Sequence, residues 1–262
     1  MALKKIGLKL YVYTGTEGSY TSSDLKYQME KDRISNQDNI IVEIAQLVKD
    51  FLSNDFNNDY VCATKWATAV VDFYDSETNE IFVTNGTQIF NYLAFDGYGH
   101  FEEEVNPQLS TDLLQTSLNM YLPEGIAGKL PIFAEGVGKV IIDSTTTEIT
   151  DSLDSNQKIQ YISIPANTST VEVYATDDTT LLKTVTVNNV CEPKFTPYKL
   201  TFVNKLGAYQ DIYFFKKTTE SFNVTDETYK RNNINTSTVT YGTNDGQKQR
   251  YNINGSTKIT LN

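Results

Sequence analysis

The alternation of hydrophobic and polar residues is sharpest over residues 198–217, YKLTFVNKLGAYQDIYFFKK. It reads as two strand arms joined by a turn, the period-2 signal of a half-buried antiparallel pair. In the first arm Leu200 and Phe202 share one face, and Lys199, Thr201 and Val203 share the other. In the second, Ile212 and Phe214 stand against Tyr213 and Phe215. Residues 204–207 supply turn chemistry, with Gly207 free to take a positive φ.

The same pattern carries along the chain. Residues 8–13 and 26–34 read as extended. A helix is expected over residues 40–52, where Ile40, Ile41, Ile44, Leu47, Val48, Phe51 and Leu52 recur at i, i+3, i+4, i+7. Asp38 or Asn39 would cap it, and Glu43 would sit in its first turn, where the helix dipole favours an acid. Ile44, Leu47, Val48 and Phe51 should pack on a sheet containing Trp66 and Val70. Asn85-Gly86 is a strong hairpin signal between expected strands 80–84 and 88–95. Residues 113–121 fit a short helix or an extended crossover equally well. A second β series begins at Leu130, with strands at 138–143, 158–164, 170–175 and 181–187, a spacing that suggests an Ig-like or fibronectin-like sandwich. Residues 188–197, with Pro193 and Pro197, form the best linker. Further strands are expected at 221–224, 236–241, 248–254 and 258–261. The reading is mainly β: β-sandwich-like modules in series at 1–109, 110–190 and 191–262, with one amphipathic helix in the N-terminal module. The last pattern is unfinished at Leu261-Asn262, so the natural chain is expected to continue.

Composition agrees. Thr, Asn and Ser supply 72 of the 262 residues, the mixture of many short strands with frequent turns, and an aromatic share of 12% is too high for a disordered chain. The net charge of −11 and the presence of only three arginines argue against nucleic acid as a partner. The charge is uneven. From Pro197 onward nine Lys/Arg face five Asp/Glu, a balance of +4 that leaves −15 on the first 196 residues. Either this is solvated surface, or the basic end meets an acidic partner such as part of a neighbouring copy. Cys62 and Cys191 lack metal spacing and are expected to be buried thiols. No signal-peptide pattern opens the sequence, and no window approaches the ~18 apolar residues of a membrane span. No membrane partner is expected.

The run from Cys191 to Gly207, CEPKFTPYKLTFVNKLG, followed by QDIYFFKK from Gln210, resembles virion structural proteins of tailed phages that infect Bacteroidota and marine bacteria. SFNV at Ser221 and the ending NGSTKITLN from Asn254 extend the likeness, which covers residues 190–262 well and the N-terminal half only in general layout. The resemblance implies a particle component of the tail or neck, made in the host cytoplasm and carried in the virion. Its partners would be other virion proteins and further copies of itself. No catalytic residue comes with it.

Candidate chemistry is sparse. His100 is the single histidine, and no Gly-x-Ser-x-Gly elbow accompanies it. Asp96, Glu102, Glu103 and Glu104 offer oxygen ligands to Ca²⁺ without the alternation of an ion-wrapping loop. Gly136-Val-Gly-Lys139 lacks the Gly and the Ser/Thr that a phosphate-binding loop requires. No catalytic residue, metal or cofactor is therefore expected. The candidate assembly surface is Tyr209, Ile212, Tyr213, Phe214, Phe215, Lys216 and Lys217, because a small module can bury only one face of so apolar an arm. The alternative use of such aromatics is a site for host-surface glycan on a fibre.

Overall fold

The computed structural model describes residues 3–35, 37, 39–61, 64–98, 113–191, 194–234, 237–240, 242, 244 and 246–261. The chain is mainly β, with several sheets in series and one α-helix among the described residues. It divides into two compact units rather than the three expected modules. Unit 1 holds residues 1–191 and 199–213; unit 2 holds residues 192–198 and 214–262.

Unit 1 opens with an antiparallel sheet in the order β2-β1-β3-β4, built from β1 (Leu3–Tyr13), β2 (Leu25–Asp32), β3 (Lys65–Asp75) and β4 (Thr87–Ala94). Alternation selects its core face. Leu8, Leu10 and Val12 of β1 sit opposite Val71, Ala69 and Ala67 of β3 and turn inward together. The small Ala67 and Ala69 leave room for the covering segment, whose Val48 is buried with Val42, Ile44, Leu47, Phe51 and Leu52 packed beside it. The apolar spacing thus identified the covering residues. The helix itself, α1, spans only Ala45–Lys49. The β-branched run Ile40-Ile41-Val42, stiff at χ1, stays out of it. Asn39 does not cap it, and Asp38 lies outside the described residues. Ile44 occupies the N-cap without a side-chain bond, while Glu43 Oε1 accepts the Ala45 N–H at 2.9 Å.

Trp66 and Val70 belong to this sheet, but to its opposite face. Trp66 lies across from Tyr13 and shares its indole N–H between the carbonyls of Gly15 (3.2 Å) and Asp154 (3.0 Å). The Asn85-Gly86 hairpin is corrected as well. Residues 80–84 form no strand beyond a single bridge from Ile81 to Tyr74, and β4 pairs directly with β3. Asn85 has a φ of 55°, as a left-handed turn residue should.

The second part of unit 1 is a sandwich. Strands β5 (Asn119–Pro123), β7 (Val137–Ile142), β8 (Thr145–Glu148), β10 (Thr170–Ala175) and β11 (Leu181–Val190) form a sheet in the order β5-β11-β10-β7-β8. It is antiparallel except for β5 beside β11. Strands β6 (Gly128–Phe133) and β9 (Ile159–Ile164) pair as a second layer. Val140, Val171, Val173 and Val185 of the first layer and Leu130, Ile132 and Ile164 of the second share one core. Residues 113–121, expected as a short helix or an extended crossover, form no helix and lead into β5; β8 falls between the strands expected at 138–143 and 158–164. Asn156 knits sandwich to first sheet. Its side chain accepts the Gly15 N–H (2.8 Å) and donates to Thr64 O (2.5 Å), and its carbonyl accepts the Thr64 hydroxyl. That buried joint explains why no compact-unit boundary falls near residue 110.

Strands β12 (Tyr198–Val203) and β13 (Tyr209–Phe214) pair as the hairpin expected, and Gly207 takes a φ of 83°. Unit 2 consists mainly of the antiparallel pair β14 (Thr219–Lys230) and β15 (Lys248–Thr260). β15 runs through the region read as two strands with a break near Asn254. The described residues 237–240 form turns and an isolated bridge rather than the strand expected at 236–241. Cys191 is exposed, not buried; Cys62 lies outside the described residues.

Candidate assembly interface

The hairpin that drew attention in the sequence is held down inside unit 1. Asn204, fully buried at the start of its turn, satisfies four groups at once. Its Nδ2 donates to Leu114 O (2.6 Å) and to Gln210 Oε1 (3.1 Å); its Oδ1 accepts from the N–H groups of Leu206 (2.9 Å) and Ala208 (3.2 Å). Gln210 Oε1 also accepts from the backbone N–H (3.2 Å) and hydroxyl (3.0 Å) of Thr116. Tyr209, 6% exposed, packs its ring among Phe56, Tyr60 and Tyr161 at centroid distances of 5.0, 6.3 and 6.4 Å. Its N–H donates to the Tyr161 hydroxyl at 2.9 Å.

Below this cluster, Asp211 is a nearly buried carboxylate. It accepts hydrogen bonds from Tyr60 Oη (2.5 Å) and Thr201 Oγ1 (2.6 Å), and Lys199 Nζ stands 3.8 Å away. Lys199 also donates to Tyr60 Oη at 3.1 Å. Burial, reinforced by the hydrogen bond to Asp211 and its charge, pushes the Tyr60 phenol far above its usual range. The Tyr60 proton is therefore committed to Asp211, a structural knot tying residues 53–61 to the hairpin.

Of the seven residues expected to form a contact surface, Tyr209 is corrected to core, because unit 1 supplies the aromatic partners itself. Ile212, Tyr213, Phe214 and Phe215 are half-buried, with Tyr213 also packed against the sandwich core, and Lys216 and Lys217 are exposed.

The exposed apolar surface lies further along. Throughout β14 and β15 every residue but Gln249 is exposed. Register places Phe222 opposite Thr257, Val224 opposite Gly255 and Glu220 opposite Ile259 on one face. Phe222 leans over Gly255, where an added Cβ would come within 3.0 Å of the ring, so the glycine serves close packing and not a turn. Phe222, Val224, Ile253 and Ile259 are 67, 54, 63 and 54% exposed. A bulge, with Asn252 at a φ of 50°, interrupts the ladder between Thr225 and Glu227. Beyond it Tyr229 and Tyr251 meet edge to face at 5.7 Å, and Arg250 pairs with Asp226 at 2.9 Å. Of this surface the sequence reading noted only short strands; the signal available was Phe222 and Val224 two residues apart, with Ile253 and Ile259 on the returning strand.

His100 and Glu102, Glu103 and Glu104 lie outside the described residues. Asp96, the remaining member of that acidic group, accepts a hydrogen bond from Asn54 Nδ2. Among the described residues no group of three or more His, Cys, Asp or Glu side chains could hold a metal ion, and no helix is long and apolar enough to cross a membrane.

No protein-family model and no curated protein matches the chain. Among solved structures the chain is similar to the Bacteroides ovatus mixed-linkage glucan utilization locus SGBP-B in complex with a mixed-linkage heptasaccharide. The match has 13% identity and a TM-score of 0.21, and covers 72% of this chain and 41% of that one. A score that low assigns this chain neither a fold nor a ligand.

Proposed function

We propose that this protein is a non-enzymatic structural subunit of a tailed-phage particle, of the tail or neck, and that the β14–β15 ribbon is the arm joining it to its neighbours. The observation that carries the reading is the bareness of that ribbon. A two-stranded hairpin is at best marginally stable alone in water, and this one shows four large apolar side chains on exposed backbone. Fully burying such a side chain is worth about 1.5–3 kcal/mol, so covering the roughly half-exposed Phe222, Val224, Ile253 and Ile259 releases about 3–6 kcal/mol before the costs of association. Unit 1 supplies the rigid body and the ribbon the attachment. The resemblance of residues 190–262 to phage virion proteins supports the particle as the setting.

The test is composition and incorporation. Mass spectrometry of purified particles and subassemblies should find this chain at fixed stoichiometry in a tail or neck fraction. The double substitution Phe222→Ser/Ile259→Ser should leave the chain folded and remove it from particles. A chain found only in the soluble lysate would overturn the reading.

A second reading is favoured by one feature of unit 1. An open cleft of about 510 Å³ is lined by the half-exposed rings of Tyr60 and Tyr161, with Asn58, Asp59, Lys129 and Gln160 around them. Aromatic surface beside amide, carboxylate and ammonium groups suits the apolar faces and hydroxyls of a sugar, here a host-surface glycan. Glycan-array binding lost on Tyr161→Ala would support it; an array without signal would remove it.

A further inference from the structure

We infer that the basic strand β15 of one copy adds to the exposed edge of β4 in the next, so that copies of this chain join head to tail. The inference rests on the reading of the ribbon as an assembly arm and names what the arm grips. β4 is the outer strand of its sheet, and among the described residues no strand pairs with its far side. Natural edges are guarded by charge, proline or short length. The opposite edge of this sheet, β2, has four charged residues in eight: Lys26, Glu30, Lys31 and Asp32. β4, TQIFNYLA, has none and no proline, and its first six residues are exposed before Leu93 and Ala94 turn half-buried. Its apolar residues are exposed on both faces, Ile89 (55%) on one and Phe90 and Tyr92 on the other. This is the geometry a partner strand completes by main-chain hydrogen bonds, with side-chain contacts setting which strand fits.

Charge chooses the partner. β15, KQRYNINGSTKIT, contains Lys248, Arg250 and Lys258 and no acid. Unit 2 as a whole has eight Lys/Arg against five Asp/Glu, or +3, which leaves −14 on unit 1 of a chain whose total is −11. Acids also flank β4 directly. Asp72 accepts from the Thr87 hydroxyl at 2.6 Å, and Glu17 accepts from Asn91 Nδ2 at 3.0 Å. A second copy therefore offers what β4 lacks: a thirteen-residue strand of opposite charge whose own sheet ends there. Joined head to tail in this way, the copies make a heterologous contact that builds rings or filaments.

Two variants of the full chain test this by light scattering after size exclusion. Ile89→Lys puts a cation on the β4 edge, facing a basic strand; Ile253→Asp puts an acid on β15, facing acidic surface. Wild type should form species larger than dimers that dissociate as salt rises. Each variant alone should be monomeric, with an unchanged circular dichroism spectrum. An equimolar mixture should form dimers and stop there, since only one intact pair of surfaces remains. A wild-type chain monomeric at tens of micromolar, a variant that still forms large species, or a mixture that stays monomeric would overturn the proposal. If Ile89→Lys unfolds the chain, Tyr92→Lys replaces it. Failure here with the Phe222→Ser/Ile259→Ser chain still excluded from particles refutes only the choice of β4. Incorporation of that chain refutes the assembly arm as well.

Discussion

Asn204→Ala should be among the most damaging single substitutions in unit 1. The side chain is fully buried and serves two N–H groups, one carbonyl and one amide oxygen. Gln210 keeps its bonds to Thr116, but the Leu114 carbonyl and the N–H groups of Leu206 and Ala208 take their side-chain partner from Asn204. A buried polar group left without its partner costs about 1–3 kcal/mol. The buried Leu114 carbonyl and Ala208 N–H, with partial loss at the half-buried Leu206 N–H, give about 3–5 kcal/mol. The assay is built in. Trp66 is the chain's only tryptophan, buried in unit 1, so its fluorescence in a urea titration reports that unit alone. Gln210→Ala, which strands Thr116 instead, should cost about 1–3 kcal/mol, and the double variant less than the sum because the two residues share a bond. A loss below about 1 kcal/mol for Asn204→Ala, or strict additivity with Gln210→Ala, would refute the view that this network fixes the hairpin.

Further expectations follow from the same geometry. Leu10→Ala, at a fully buried position facing the covering segment, should cost about 2–5 kcal/mol by the same fluorescence readout. The Tyr60 phenol is raised in the fold above its ordinary value of 10.0, so its contribution is complete below that pH and is lost as pH rises beyond it. Unit 1 should therefore weaken in alkali, and Tyr60→Phe should flatten that decline in pH-dependent unfolding curves. Asp177, hydrogen-bonded first by the Thr180 hydroxyl and then by the Thr180 and Thr179 N–H groups, is lowered to about 2. Carbon-detected NMR titration should find its midpoint there, and its turn should loosen only as pH falls from about 3.8 through that value.

What the sequence disclosed was governed by what period-2 alternation records. Strands that bury one face against a sheet of their own unit, such as β1, β7 and β10, announce it through residues like Leu8, Leu10, Val140 and Val171. Helix length was overstated because apolar spacing says which residues turn inward, not which are helical; Ile40 and Val42 lie against the sheet from outside the helix. The aromatic hairpin was found, but not its destination. Tyr209 looks identical in sequence whether its partners lie in a neighbouring subunit or in residues 56–60 of the same chain. The ribbon stayed hidden because Asn254-Gly255 has the composition of a turn, and only the ring of Phe222 lying across it shows why glycine stands in mid-strand.

The placement of residues 199–213 in unit 1 sets a timetable for synthesis. Tyr60 must wait for Asp211, 151 residues later, before its hydroxyl has an acceptor. At about 5–20 residues per second that is roughly 8–30 s on the ribosome during which Phe56 and Tyr60 lack the ring of Tyr209, while Tyr161, 48 residues before it, waits about 2–10 s. A nascent chain stopped near residue 190, where the sequence suggests a natural break, would carry a sandwich with that aromatic patch uncovered and Leu114 O without the amide of Asn204. The ribbon is made after the hairpin, so its apolar face appears only once every residue of unit 1 has been synthesised.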